Sequence, residues 1–113
     1  MTIPLFTDNK PIILILINWY TPAYKAGGPV RSVEGLVHHL NNDYNFIIIT
    51  GDRDSGESVP LNNIVTDEWQ MVGNAYVYYA SNMQMKSDSL KLLLKNLEYD
   101  LLYINTFFSP RLQ

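Results

Sequence analysis

The chain has 113 residues, with 8 Lys+Arg against 11 Asp+Glu for a formal charge of −3; 47% of its residues are hydrophobic and 17% charged. That is one domain's worth of sequence, long enough to bury roughly two-thirds of its unfolded surface without a disulfide or metal staple. The absence of cysteine excludes disulfides, thiolate metal sites, iron–sulfur clusters and cysteine nucleophiles. The slight acidity leaves no electrostatic footprint for a nucleic-acid backbone, so no nucleic-acid partner is expected.

The first element is the aliphatic run Ile12–Asn18, apolar without alternation. A strand of that kind belongs in the middle of a sheet covered on both faces. It is too short to span a bilayer, which needs about 20 apolar residues. Asn18, Trp19, Tyr20 and Thr21 follow it, where a signal peptide would carry a small-residue cleavage site. A cytoplasmic location is therefore expected, and no basic amphipathic helix indicates membrane docking.

A glycine-rich turn, Tyr20 to Pro29, leads into a helix starting at Pro29, since proline is favoured at the first helical position. Val30, Val33, Leu36, Val37 and Leu40 fall on one face of that helix. Phe46–Thr50 repeats the buried-strand pattern. Gly51 to Asn74 is turn-like, although Gly73-Asn74 suits a two-residue hairpin turn between Trp69–Val72 and Ala75–Tyr79. Ala75–Ala80 reads as the third main strand. A second helix, capped by Ser87 or Ser89, places Leu90, Leu93, Leu94 and Leu97 on one face. Leu101–Phe107 closes the series as a fourth strand.

Two strand–helix–strand units predict an α/β, Rossmann-like domain with a mainly parallel sheet. Right-handed crossovers on either side of the first strand give the order 3-2-1-4. The order reverses between strands 1 and 4, and open α/β sheets bind ligands outside the carboxyl ends of their strands at such a point. The loops Asn18–Gly28 and Asn105–Arg111 are therefore the ones to watch. Strand 4 has the composition of a central strand, yet few residues follow it. An apolar strand left as a sheet edge is something proteins avoid or cover. The expectation is a domain truncated after its fourth strand, or one half of an obligate oligomer, with self-association through strand 4.

Gly27 and Gly28 at a helix N-terminus offer backbone amides, and the helix dipole favours an anion such as phosphate there. A tight strand-to-helix turn without a ligand explains the same two residues, because the spacing is neither G-x-G-x-x-G nor G-x-x-x-x-G-K-[ST]. Arg31 lies in the first helical turn, where the dipole disfavours a cation. A bound anion would compensate it, and an exposed arginine without a role is the other reading.

Trp19-Tyr20-x-Pro22 followed by Gly27-Gly28-Pro29-Val30-Arg31-Ser32 resembles the start of family 4 (group 1) glycosyltransferases, enzymes with two facing Rossmann-like domains in the GT-B arrangement. The resemblance continues through Ile49-Thr50-x-Asp52-Arg53-Asp54, Trp69, Gly73 and Val77-Tyr78-Tyr79. It ends at Asp100-x-x-Tyr103-x-Asn105-x-Phe107-Phe108-Ser109-Pro110, so it covers most of the chain. It implies the acceptor-side domain of a retaining transferase, with Gly27 and Gly28 near the donor diphosphate and Arg31 and Asn105 at the substrate. Asn105 stands where many relatives carry histidine. The nucleotide-sugar domain and its paired glutamates of the E-x7-E motif are not in this sequence, so this chain alone is expected to be inactive. The donor is a substrate rather than a cofactor, and no metal is expected. The acceptor would be a glycan or a lipid-linked glycan, in bacterial surface polysaccharide synthesis.

Two rival readings remain: a non-enzymatic module acting through a partner at its apolar sheet edge, and a different Rossmann-like nucleotide binder. The missing dinucleotide fingerprint counts against the latter, with Asp52 the only acidic residue near the end of strand 2. Asp52-x-Asp54 lacks the ligand and glycine positions of a calcium loop. His38 and His39, adjacent on a helix, point in different directions and read as surface residues. Asp67 and Glu68 form a carboxylate pair that nothing places in a cleft. Tyr76, Tyr78 and Tyr79 fit either a sugar-stacking platform or strand packing.

Overall fold

The computed structural model describes residues 4, 6–25, 27–81 and 87–105. Its elements are β1 (Ile12–Ile17), α1 (Gly28–Leu40), β2 (Asn45–Gly51), β3 (Trp69–Val72), β4 (Ala75–Ala80), α2 (Ser87–Lys95) and β5 (Leu101–Asn105). They form one five-stranded sheet in the order β3-β4-β2-β1-β5. β1 lies parallel to β2, from Ile12↔Asn45 to Leu16↔Ile49, and parallel to β5, from Ile13↔Leu101 to Ile17↔Asn105. β2 is parallel to β4, and β3 is antiparallel to it.

The α/β class and mainly parallel sheet stand as read from sequence, but the strand count and order need correction. There are five strands rather than four, because Trp69–Val72 turns back at Gly73-Asn74 and pairs with β4 at the sheet edge. Gly73 has φ +60°, the left-handed conformation that such a turn requires. The four parallel strands then run β4-β2-β1-β5. Helix α1 starts one residue earlier than expected, at Gly28, and α2 ends at Lys95. Leu97 lies beyond α2 yet is still buried against the sheet, while Ser89 sits inside the helix instead of capping it.

Period-two alternation sorts the strands into two cores. Ile13, Ile15, Ile17, Phe46, Ile48, Val77 and Tyr79 face α1 and pack with Val33 and Val37. Leu14, Leu16, Ile47, Ile49 and Tyr78 face the other way, where α2 supplies Leu90 and the following turn Leu97. Tyr78 and Tyr79 are thus core side chains, which rules them out as an open stacking platform. Tyr76 is half-buried and meets the Phe6 ring edge-on at 5.4 Å.

Side chains clip the amino ends of the strands together. Asp100 accepts a hydrogen bond from Ile12 N at 2.7 Å and returns its own N–H to the Ile12 carbonyl at 2.8 Å. Asp8 accepts from Asn45 Nδ2 at 2.7 Å and from Lys10 N at 3.1 Å, and these bonds, Asn45 first, hold its pKa below the ordinary carboxylate value. No helix among the described residues is long and apolar enough to cross a membrane.

Ile15 is wholly buried at the centre of this arrangement. Ile15→Ala is expected to destabilise the fold by about 3 kcal/mol, and Ile15→Val by about 1 kcal/mol, measured by urea denaturation.

Candidate functional site

The sheet's order reverses between β1 and β5, and both strands end at the same level, Ile17 opposite Asn105. From there the chain leaves β1 and reaches α1 by a compact loop. Ala23 N donates to the Tyr20 carbonyl at 2.8 Å, the Thr21-Pro22 peptide is cis, and Gly27 N donates to the Tyr24 carbonyl at 3.0 Å. Beside it, Gly51 N at the end of β2 donates to the Asn18 carbonyl at 3.2 Å, an approach so close that a Cβ on Gly51 would stand 3.1 Å from that oxygen.

The two glycines of the turn differ. Gly27, the N-cap of α1, has φ +74°, a conformation that L side chains rarely adopt, so the backbone alone requires glycine there. Gly28 is the first residue of the helix, without a positive φ, and apart from its chain neighbours and its own helix backbone no atom of the described residues lies within 4 Å of where its Cβ would be. Among the described residues no steric contact requires glycine at position 28, just as none does at Gly35 within the same helix. The same open space lies over Gly27. The helix N-terminus has no side-chain cap and no acidic residue in its first turn, and exposed Arg31 stands within that turn. A helix end of this kind favours an anion over a cation.

A network of hydroxyls holds the loop in place. The buried Tyr79 hydroxyl donates to the Thr21 carbonyl across 58 residues of chain, Thr21 Oγ1 meets the Tyr24 hydroxyl, and that hydroxyl donates to Glu34 at 3.4 Å. Burial pushes the Tyr79 and Tyr20 phenols well above their ordinary pKa, and negative charge at Glu34 adds to it, so both stay protonated and Tyr79 stays a donor. On the outer side, Asp54 accepts from Lys25 N at 3.1 Å, and Lys25 Nζ pairs with Glu57. The loop after β2 is thereby tied to the loop after β1. Buried Asp52 organises the former, accepting from Thr66 Oγ1 at 3.2 Å and lying 3.4 Å from Arg53 Nε. At the end of β2, the wholly buried Thr50 hydroxyl has no hydrogen-bond partner among the described residues.

Of the residues singled out in the sequence, Gly27, Gly28 and Arg31 form one turn, and Asn105 ends β5 at the same end of the sheet. The second loop of interest, from residue 106 onward, lies outside the described residues. Asp67 is structural: its N–H donates to the Tyr79 carbonyl and its carboxylate accepts from Ser81 N, both at 2.8 Å. His38 and His39 are exposed, with ring centroids 5.5 Å apart. No group of three His, Cys, Asp or Glu among the described residues is placed to hold a metal ion. A cleft of about 270 Å³ runs beside the loop, lined by Tyr20, Thr21, Glu34, His38 and the Gly73-Asn74 turn. Lys25 and Glu34 carried no signal in the sequence beyond their charge, and Asp54 was visible only in the Asp52-x-Asp54 pair and the family resemblance. Their roles follow from contacts between residues far apart in the chain.

Comparison with protein-family models, with curated proteins and with solved structures finds no match to this chain.

Tyr79→Phe removes the hydroxyl that anchors the loop and is expected to cost about 1 kcal/mol. Together with Tyr20, the same phenol contributes to alkaline stability. Its folded pKa is raised, so above the ordinary value of 10.0 the unfolded chain loses the proton first. Stability is therefore full below that pH and falls as pH rises past it. Urea titrations between pH 8 and 11 are expected to show a shallower alkaline loss in Tyr79→Phe than in the wild type.

Proposed function

We propose that this domain is the acceptor-side half of a retaining GT-B glycosyltransferase, which moves a sugar from a nucleotide-sugar donor to a glycan or lipid-linked acceptor in bacterial surface polysaccharide synthesis. The observation that carries the reading is the N-terminus of α1, which has no side-chain cap and where Gly27 and Gly28 face open space among the described residues. A ligand that must approach the backbone closely accounts for it. The ordered resemblance from Ile12 to Pro110 supplies the chemistry of that ligand, the donor diphosphate.

In this reading the turn acts on the leaving group. As the glycosidic bond to the nucleotide breaks, negative charge gathers on the diphosphate, and the backbone at Gly27-Gly28 with the positive end of α1 stabilises it. Arg31 adds a formal positive charge at the same turn. Asn105, at the end of β5, offers an amide that hydrogen-bonds a sugar hydroxyl. The loop after β1 keeps its shape during this through the Tyr79–Thr21 and Lys25–Asp54 bonds, so the donor groups are preorganised. The nucleotide itself, and the paired glutamates of the E-x7-E motif, belong to the second domain of such an enzyme.

The open position makes the test clean. In the two-domain enzyme, Gly28→Leu is expected to lower donor turnover at least roughly 100-fold, as for loss of an electrostatic clamp on the leaving group. Its thermal unfolding should stay that of the wild type, since no described residue outside its own helix and chain neighbours stands where the side chain begins. Undiminished turnover would remove the turn from the mechanism.

A further inference from the structure

The cleft of about 270 Å³ beside the loop after β1 takes Glu34, Val37 and His38 from α1, Val72 and Asn74 from the β3–β4 hairpin, and Tyr20 from the loop itself. Its walls are described residues from both flanks. They lie on the β3–β4 side of the sheet, and the chain runs on from β5 at the opposite edge.

Tyr20 is what a crevice holding only solvent does not explain. It is 3% exposed, and it belongs to the core on the α1 face. Its hydroxyl bonds no described residue, yet it is not sealed in. The sealed polar side-chain atoms that lack a partner among the described residues are Thr50 Oγ1 and Arg53 Nε. The hydroxyl is therefore what Tyr20 presents to the cleft. Burial first, and then the charge of Glu34, raises its pKa, so it keeps its proton. Glu34 is the counterpart. It is half-buried and enters no ion pair among the described residues. The Tyr24 hydroxyl reaches its Oε2 at a long 3.4 Å, and no described residue engages its Oε1.

A ligand placed here must accept a hydrogen bond from Tyr20 and donate one to Glu34. An ammonium only donates, and a phosphate accepts but meets the Glu34 charge. A hydroxyl does both. His38, one helical turn from Glu34, and Asn74 each add groups that donate and accept. Val37 and Val72 offer apolar surface to the C–H face of a ring. We propose that this cleft binds a neutral sugar ring, held by one hydroxyl or an adjacent pair between Tyr20 and Glu34. Its volume lies just below the roughly 300–1,000 Å³ of sites for drug-sized ligands, which suits a single ring. The proposal does not rest on the transferase reading: the cleft runs along the flank of α1, away from the amides at its N-terminus, and it requires no nucleotide.

The test is a titration of the 113-residue chain with glucose, galactose, mannose and N-acetylglucosamine, followed by NMR of the backbone amides. At least one sugar is expected to shift Glu34, His38 and Asn74 saturably, with a dissociation constant on the order of 1 mM. Tyr20→Phe removes a hydroxyl that bonds nothing described in the fold. Its urea stability is expected to match the wild type at neutral pH, while affinity for that sugar falls roughly fivefold or more. Glu34→Gln preserves shape and removes charge, and is expected to weaken binding roughly tenfold. Four sugars that leave these amides unmoved at about 100 mM overturn the proposal. So does an affinity that either substitution leaves unchanged. Methylammonium or inorganic phosphate shifting the cleft in place of every sugar also overturns it. Should Glu34→Gln fail to fold, Tyr20→Phe decides alone.

Discussion

The whole architecture depends on burying β1. Six consecutive apolar residues, Ile12–Ile17, leave no polar face to turn toward water, so the strand needs neighbours on both edges and cover on both faces. β2 and β5 supply the edges in parallel register, and α1 and α2 supply the faces. Parallel neighbours on opposite sides mean that the chain crosses over once in each direction. The sheet's order must then reverse at one flank of β1, so the carboxyl end of this buried strand is also where a crevice opens. The location of the candidate site is thus a consequence of the hydrophobic core.

What that location contains is set by two different demands on adjacent residues. Gly27 answers a backbone demand, a left-handed turn that admits the chain to α1. Gly28 has no positive φ and no described residue packed over it, which leaves its backbone accessible. The surrounding bonds have a common effect. Tyr79 reaches in from the core to the Thr21 carbonyl, and Asp54 reaches across from the next loop to Lys25. Together they hold the loop from the inside and from the outside, and no other described residue packs over Gly27 and Gly28.

Legibility in the sequence followed physical range. β1, β2 and α1 were readable because burial imposes a pattern on neighbouring residues: continuous apolar runs for strands covered twice, a 3.6-residue stripe for a helix covered once. β3 was readable only through its turn. Trp69, Gln70 and Val72 are half-buried and Met71 is exposed, so the segment shows neither alternation nor a solid apolar run, and the count of four strands omitted it. Gly27, Gly28 and Arg31 were visible as a cluster because they are consecutive in a turn. The bonds that shape the loop join residues 29 and 58 positions apart, and no local pattern encodes such partners. The alternatives for the tyrosines were likewise decided by register, which puts Tyr78 and Tyr79 on opposite faces and inside both cores.

The central claim is that the uncovered glycine turn at the reversal of the sheet is a diphosphate site. The most direct measurement is an NMR titration of the 113-residue chain with inorganic pyrophosphate, following backbone amides. The account predicts saturable shifts concentrated at Gly27, Gly28, Val30 and Arg31, and their loss when position 28 carries a leucine. Shifts that never saturate, or that fall on the lysines of α2 while the turn stays still, would contradict it.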